Sequence, residues 1–238
     1  MFVTDIRALA QIAHEKNALL VADNTFLSPH FQKPLTLGAD IVVESGTKYL
    51  CGHNDVICGF LAVKDANSDL AKEIELLVKS EGPNLSPMDA WLMLRSLKTL
   101  GVRVERQAKN ALAIAEWLRT LPEVTEVYYA GLPDHPQYAL QRSQSTGFGA
   151  MISFKVKTPE IAQNVLAHLK LIAFAESLGG VESLLTYPLV QTHAEMPHYL
   201  ISRTGLDDRL LRLSVGLEDV DDLKEDLEQA LKKAAQKG

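Results

Sequence analysis

The sequence predicts an α/β domain built on a mostly parallel sheet, followed by a smaller α+β domain. Apolar runs at residues 18–22, 40–43 and 59–63 show no alternation, which is the pattern of strands covered on both faces in a parallel sheet. Helical spacing precedes them, so helix and strand alternate in the first part of the chain. Later, strand-like stretches at 124–129 and 150–154 and a leucine-striped last helix form a mixed pattern.

Ile6, Leu9, Ala10 and Ala13 recur at three- and four-residue spacing behind Thr4, which predicts a helix capped by Thr4 and running to about His14. The run at 18–22 then ends in the carboxylate of Asp23, and the run at 40–43 leads to Ser45. Polar groups at the carboxyl ends of such strands are where open parallel sheets bind ligands. Ser86-Pro87-Met88-Asp89 supplies a cap, a proline at the first helical position and an acid in the first turn, opening a helix to about Leu100. A second helical pattern follows Gly101 and is stopped by Pro122. The boundary falls in this helical region, giving domains 1–98 and 99–238. In the second domain a helix at 159–169 separates the strand at 150–154 from another at 171–175. The last helix has Asp219, Asp221 and Asp222 at its start, Leu223, Leu227 and Leu231 on one face, and Lys232 and Lys233 at its end, as the helix dipole favours.

The chain has 238 residues, average apolar and charged content and a net charge of −6, which describes a globular protein of one or two domains. No basic patch interleaved with aromatics is present, so nucleic acid is not an expected partner. No apolar run is long enough to span a bilayer, and the first residues lack the basic start and apolar core of a signal peptide. Cys51 and Cys58 form neither a disulfide framework nor a zinc motif, so the expected setting is a reducing cytoplasm. His53, His193 and His198 have no spacing that puts a ligand pair on one helix face, which favours structural hydrogen bonding over a metal.

The chemistry concentrates in two strand ends. Lys48 follows Ser45 and Thr47, whose hydroxyls can donate to a phosphate, and it sits just after a buried strand where an amine is partly desolvated. Such an amine can form an imine with an aldehyde cofactor and later move protons as a general base and acid. Asp23 reads either as a turn cap with Asn24 and Thr25 or as the acid that keeps a pyridine nitrogen protonated. An amine, hydroxyls and an acid together are the groups needed to hold pyridoxal phosphate.

Val21-Ala22-Asp23-Asn24-Thr25-Phe26, Leu37-Gly38-Ala39-Asp40-Ile41-Val42-Val43 and Ser45-Gly46-Thr47-Lys48-Tyr49-Leu50 closely resemble the Cys/Met-metabolism enzymes of pyridoxal-phosphate fold type I. The likeness continues through Ser177-Leu178-Gly179-Gly180-Val181-Glu182-Ser183-Leu184, Thr192-His193-Ala194 and Leu211-Arg212-Leu213-Ser214-Val215-Gly216-Leu217-Glu218-Asp219, so it covers essentially the whole chain. The resemblance implies that Lys48 carries the cofactor as a Schiff base, that Asp23 pairs with the pyridine nitrogen, and that Ser45 and Thr47 hold the phosphate. It further implies that Arg212 binds the substrate α-carboxylate as a planar bidentate donor, with Ser177 close by. Without the family, Arg212 reads as a surface ion pair with Asp207 or Asp208, and Ser177 as part of a tight turn. Glu176 is either a solvated glutamate at a strand end or the acid that meets the distal ammonium of a long substrate such as cystathionine.

The implied activity is β- or γ-elimination, or γ-replacement, on sulphur amino acids, of the cystathionine γ-synthase, γ-lyase or β-lyase type. Its substrates would be cystathionine, or an O-acylhomoserine with cysteine. Methionine γ-lyase and O-acylhomoserine sulfhydrylase chemistry are alternatives within the family. The resemblance also implies a homo-oligomer, a homotetramer by analogy, and a long segment ahead of Met1 that supplies further cofactor contacts. The chain is then a cleaved fragment, a shortened chain or one piece of an enzyme, and a catalytically inactive oligomerisation piece is the alternative from another class. Cys51 and Asn54 stand where the family often has glycine and serine; a thiol at 51 is expected to be tolerated, with crowding of the cofactor edge as the alternative. A non-enzymatic phosphate-binding α/β domain is disfavoured, because no G-x-G-x-x-G or P-loop follows any strand.

Overall fold

The computed structural model describes residues 1–191 and 205–236. They form two compact units, the first of Val3–Gly101 with Ala139–Gly147, the second of Met1–Phe2, Val102–Tyr138 and Phe148–Gly238. Thr192, His193, Ala194 and His198 lie outside the described residues.

The first unit opens with α1, Ile6–Glu15. Its cap is Asp5, whose side chain accepts from the Ala8 N–H at 3.0 Å. Thr4, expected in that role, instead gives its carbonyl to Gln144 Nε2 at 2.8 Å. Three strands follow: β1 (Val21–Asp23), β2 (Ile41–Ser45) and β3 (Gly59–Val63), with β2 in the middle. β1 and β2 are parallel, while β3 runs antiparallel to β2. The reversal at β3 departs from the parallel strand that its apolar run predicts. A parallel return needs a crossover of a dozen or more residues, usually a helix, and the chain between Ser45 and Gly59 holds only a single turn and a loop. The apolar run at 18–22 also differs from expectation. Leu19, just ahead of β1, and Val21 are 55% and 51% exposed, because β1 has one neighbouring strand among the described residues. One buried cluster forms where Ile6 of α1 meets Leu37 and Ala39, with Leu20 and Ala22 packed against them.

A short helix α2 (Ser28–Phe31) lies between β1 and β2, and α3 (Asp69–Glu81) and α4 (Pro87–Leu97) follow β3. Ser86 caps α4 by accepting from the Asp89 N–H at 3.1 Å, with Pro87 in the first turn as the sequence predicts. Residues 139–147 return to this unit through backbone and side-chain hydrogen bonds. Thr146 N–H donates to the Phe31 carbonyl at 2.8 Å, and Gln144 Oε1 accepts from Ile6 N–H at 3.4 Å.

The second unit carries most of the long helix α5 (Leu100–Leu118) and a five-stranded sheet. Its strands are β4 (Val124–Tyr128), β5 (Met151–Val156), β6 (Ala173–Phe174), β7 (Leu184–Thr186) and β8 (Leu210–Ser214), in the order β4-β5-β8-β7-β6. The helix α6 (Tyr138–Gln144) begins in this unit and ends in the first, and α7 (Pro159–Val165) and α8 (Val220–Ala235) complete the description. Leu223, Leu227 and Leu231 of α8 are fully buried, each contributing about 1.5–3 kcal/mol of hydrophobic stabilisation. Asp219 caps that helix and Lys232 and Lys233 close it, as the sequence predicts. Asp226, on the same helix, accepts from the N–H groups of Lys170, Leu171 and Ile172, all at 2.9 Å, and so fixes the approach to β6.

Candidate active site

The parallel register pairs Asp23 with Val43, so Asp23 and Ser45 leave neighbouring strands at their carboxyl ends. The two ends are laced together. Asn24 N–H donates to the Val43 carbonyl at 3.0 Å, and Ser45 N–H donates to Thr25 Oγ1 at 2.8 Å. Asp23 is exposed, and its Oδ1 accepts from the Thr25 N–H at 2.9 Å. The turn reading of Asp23 is therefore realised, and its carboxylate faces solvent at the strand end.

After Ser45 the chain makes one π-type turn, Gly46–Leu50. The backbone leaves helical geometry at Lys48, with φ −85° and ψ −124°. Cys51 N–H closes the turn on the Gly46 carbonyl at 2.9 Å, and Gly52, at φ 73°, donates to the Lys48 carbonyl at 2.7 Å. That left-handed φ suits glycine. Lys48 is half-buried, and the buried Tyr49 and Leu50 anchor the turn beneath it. Gly46 is the point of closest approach. A Cβ there would lie 2.4 Å from Cys58 Sγ and 2.6 Å from Phe60 Cε2.

Thr47 is held by residue 58: its Oγ1 accepts from the Cys58 N–H at 3.0 Å and donates to the Cys58 carbonyl at 3.3 Å. A hydroxyl has one proton, so a phosphate contact from Thr47 requires turning that proton away from the Cys58 carbonyl. Ser45 is half-buried, with no hydrogen bond from its hydroxyl among the described residues. Cys51 does not crowd this group. It is fully buried, and its thiol donates to Asp55 Oδ1 at 3.0 Å. Burial pushes both the Cys51 and Cys58 thiols above the ordinary value, which makes them poor nucleophiles. His53 Nδ1 lies 2.7 Å from the Cys51 carbonyl, and no metal-binding cluster occurs among the described residues.

Beneath the strand ends lies a pair that the sequence reading missed. Asn24 and Glu44 are 3% and 9% exposed, and Asn24 Nδ2 donates to Glu44 Oε1 at 2.8 Å and to the Gln32 carbonyl at 3.0 Å. Burial raises the Glu44 carboxyl to about 7, with Asp23's charge adding to the rise and the Asn24 hydrogen bond opposing it. The available signal was position. Glu44 stands two residues after Val42 on β2 and therefore shares the face that Val42 buries.

The remaining predicted residues belong to the second unit. Arg212 lies in β8, opposite Ser153 of β5 and Thr186 of β7. Its guanidinium is within 3.5 Å of Thr186 Oγ1, and that hydroxyl donates to the Ala175 carbonyl at 3.0 Å. Asp207 pairs with Lys155 and Arg209, each at 3.0 Å. Ser177 is half-buried and opens the turn through Gly179, whose N–H donates to Ser214 Oγ at 2.8 Å. Glu176 is exposed just beyond β6. One unit thus brings Asp23, Ser45, Thr47 and Lys48 together, and the other holds Glu176, Ser177 and Arg212 along β8, β7 and the chain leaving β6.

An amine, a carboxylate and two hydroxyls on neighbouring strand ends fit pyridoxal phosphate, which needs a Schiff-base partner, an acceptor for its ring N–H and donors for its phosphate. A family model described as Cys/Met metabolism PLP-dependent enzyme matches residues 1–232. The chain is 47% identical over 233 residues to the cystathionine beta-lyase MetC of Bacillus subtilis (strain 168), a match covering 98% of this chain and 59% of that protein. It is 49% identical over 232 residues to a cystathionine gamma-lyase of Dictyostelium discoideum, covering 97% of this chain and 59% of that one. Its fold is similar to the crystal structure of cystathionine gamma synthase from Xanthomonas oryzae pv. oryzae in complex with aminoacrylate and cysteine. There the TM-score is 0.94 and the identity 43%, over 98% of this chain and 60% of the other. The chain spans about 60% of the length of these relatives. A family match over nearly every residue, on a fold that carries the expected groups, has one meaning: this chain belongs to the Cys/Met metabolism PLP-dependent enzyme family.

Proposed function

We propose that this chain supplies the lysine, the ring-nitrogen acid and the substrate-carboxylate site of a pyridoxal-phosphate enzyme acting on sulphur amino acids. The reaction is elimination or replacement at the β- or γ-carbon, with cystathionine the favoured substrate and an O-acylhomoserine with cysteine the other. The observation that carries this reading is the convergence of Asp23, Ser45 and Lys48 on the carboxyl ends of one parallel strand pair.

Bound pyridoxal phosphate supplies an electron sink for charge that develops at the substrate α-carbon. The protein's own groups do the rest. Lys48 Nζ, on a turn held by buried neighbours, takes the α-proton and returns it where a proton is needed. Asp23 accepts the ring N–H and keeps that proton in place, a role suited to a carboxylate at a strand end. Ser45 Oγ donates to the phosphate, and Thr47 joins it once its proton leaves the Cys58 carbonyl. Arg212 offers a planar fork to the substrate carboxylate, and Ser177 a further donor. Glu176, exposed beyond β6, is the acid that would meet a distal ammonium, and an acid in that role favours cystathionine over methionine.

The division at residues 98 and 99, assembly as a homo-oligomer or with a separate preceding segment, and a cytoplasmic setting belong to the same proposal. The free thiols of Cys51 and Cys58 support that setting. Among the described residues no helix is long and apolar enough to cross a membrane. The experiment is an absorption spectrum of the chain with added pyridoxal phosphate, beside Lys48→Ala. A visible band that requires Lys48 and changes on adding cystathionine is expected. A wild-type spectrum identical to that of Lys48→Ala would leave the chain as a structural piece of an enzyme.

A further inference from the structure

We propose that Glu44 is a positioning residue of this site: as a neutral carboxylic acid it forms a closed pair of hydrogen bonds with the Asn24 side-chain amide, tying the Asp23 end of β1 to the Ser45 end of β2. The inference rests on the reading of Asp23 and Ser45 as cofactor ligands.

Two atoms carry it. Asn24 Oδ1 and Glu44 Oε2 are both buried, and neither has a hydrogen-bond partner. With Glu44 ionised both are acceptors, and neither can satisfy the other. The 2.8 Å contact from Asn24 Nδ2 to Glu44 Oε1 already sets the amide against the carboxyl group. A proton on Oε2 turns one orphan into a donor, and the amide oxygen is the matching acceptor. The amide's orientation is fixed independently, because its other N–H donates to the Gln32 carbonyl at 3.0 Å. Exchanging nitrogen and oxygen would set the amide oxygen against that carbonyl.

The surroundings keep the acid neutral. Asp23, from the end of β1, is the charged group that acts on Glu44, and it disfavours ionisation. β3 presents the uncharged Phe60 opposite Glu44, and the chain at residue 32 presents a carbonyl through Asn24. Above neutral pH the acid loses its proton, the second hydrogen bond of the pair disappears, and two buried oxygens are left with no donor. The strand ends that carry Asp23 and Ser45 then lose a tie.

The test compares the full chain with Glu44→Gln and Glu44→Leu. Glutamine reproduces the hydrogen-bonding pattern of the protonated acid and cannot ionise, whereas leucine keeps bulk alone. The first readout is infrared absorption of the protonated carboxyl group, taken as wild type minus Glu44→Gln across pH. A carboxyl band that fades around neutral pH is expected. The second is the affinity for pyridoxal phosphate itself. Wild type should weaken several-fold relative to Glu44→Gln between about pH 6 and about pH 8.5, with Glu44→Leu weak at both. No protonated-carboxyl band at the acid end, or equal pH profiles for wild type and Glu44→Gln, would overturn the proposal. If the band titrates and no form binds pyridoxal phosphate, the cofactor reading fails, and with it the positioning role.

Discussion

Replacing Glu44 with glutamine should change how the stability of the first unit depends on pH. Burial raises this carboxyl from 4.5 to about 7. Between those values the unfolded chain releases its proton and the folded chain keeps it. The contribution is therefore fully present below 4.5, is lost as pH rises, and levels off above 7. At about 1.36 kcal/mol for each pH unit that separates the two values, the whole span is worth about 3 kcal/mol. Between about pH 5 and about pH 8 the loss should reach about 2.5 kcal/mol, a ceiling that any water reaching the carboxyl group lowers. Glu44→Gln has no proton to release. It should match wild type at the acid end and exceed it by about 2 kcal/mol at the basic end. Urea unfolding at several pH values measures this. Trp91 and Trp117, the chain's two tryptophans, lie in different units, so a Trp117→Phe background leaves Trp91 fluorescence to report on the first unit alone. Unfolding midpoints that run in parallel across pH for the two proteins would show that Glu44 is ionised in the folded chain and that the buried pair has been misread.

Asp226→Ala should destabilise the second unit by about 3 kcal/mol or more, because it strands three backbone N–H groups that one carboxylate now satisfies; urea unfolding followed by Trp117 fluorescence checks it. Gly46→Ala should displace the Lys48 turn, since the new Cβ has no room beside Cys58 and Phe60. Its signature is at least a tenfold, or about 1.4 kcal/mol, loss of pyridoxal-phosphate affinity in an absorbance titration. Arg212→Lys should keep the Lys48-dependent cofactor band while weakening an amino-acid ligand by roughly tenfold, because an ammonium cannot reproduce the bidentate fork. Equal ligand affinity in the two proteins would remove Arg212 from the site.

Much of the chain could be read in one dimension where local signals agree. α8 carries its cap, its leucine stripe and its closing lysines within sixteen residues, and α4 announces itself with Ser86, Pro87 and Asp89. β8 has no such signature. Leu210–Ser214 is a short run that becomes a central strand only by pairing with β5 and β7, both distant in sequence. α3 carries Leu70, Ile74, Leu77 and Val78 at helical spacing between the Ser68 cap and Gly82, yet none of its residues is buried, so its stripe marks a helix without marking a core. The site divides the same way. The placement of Asp23, Ser45 and Lys48 at the strand ends is legible because apolar runs mark where the strands stop. The Asn24–Glu44 pair depends on the register of two strands, and an isolated glutamate after an apolar run looks like any solvated acid. The hold that Cys58 keeps on Thr47 is equally a product of chain reversal at β3.

The outer position of β1 bears on how this chain behaves in solution. Among the described residues no strand lies beside β1 on the side away from β2, so that side offers backbone donors and acceptors to an extended segment, and half-exposed Val21 adds apolar surface. Asp23, the exposed charge at the end of that strand, works against the addition of a foreign strand there. A single carboxylate thus has two roles: it guards this edge in the free chain and, in the proposed function, it meets the cofactor ring. Removing that charge, as in Asp23→Asn, would take the guard from the edge, so self-association of the chain should rise.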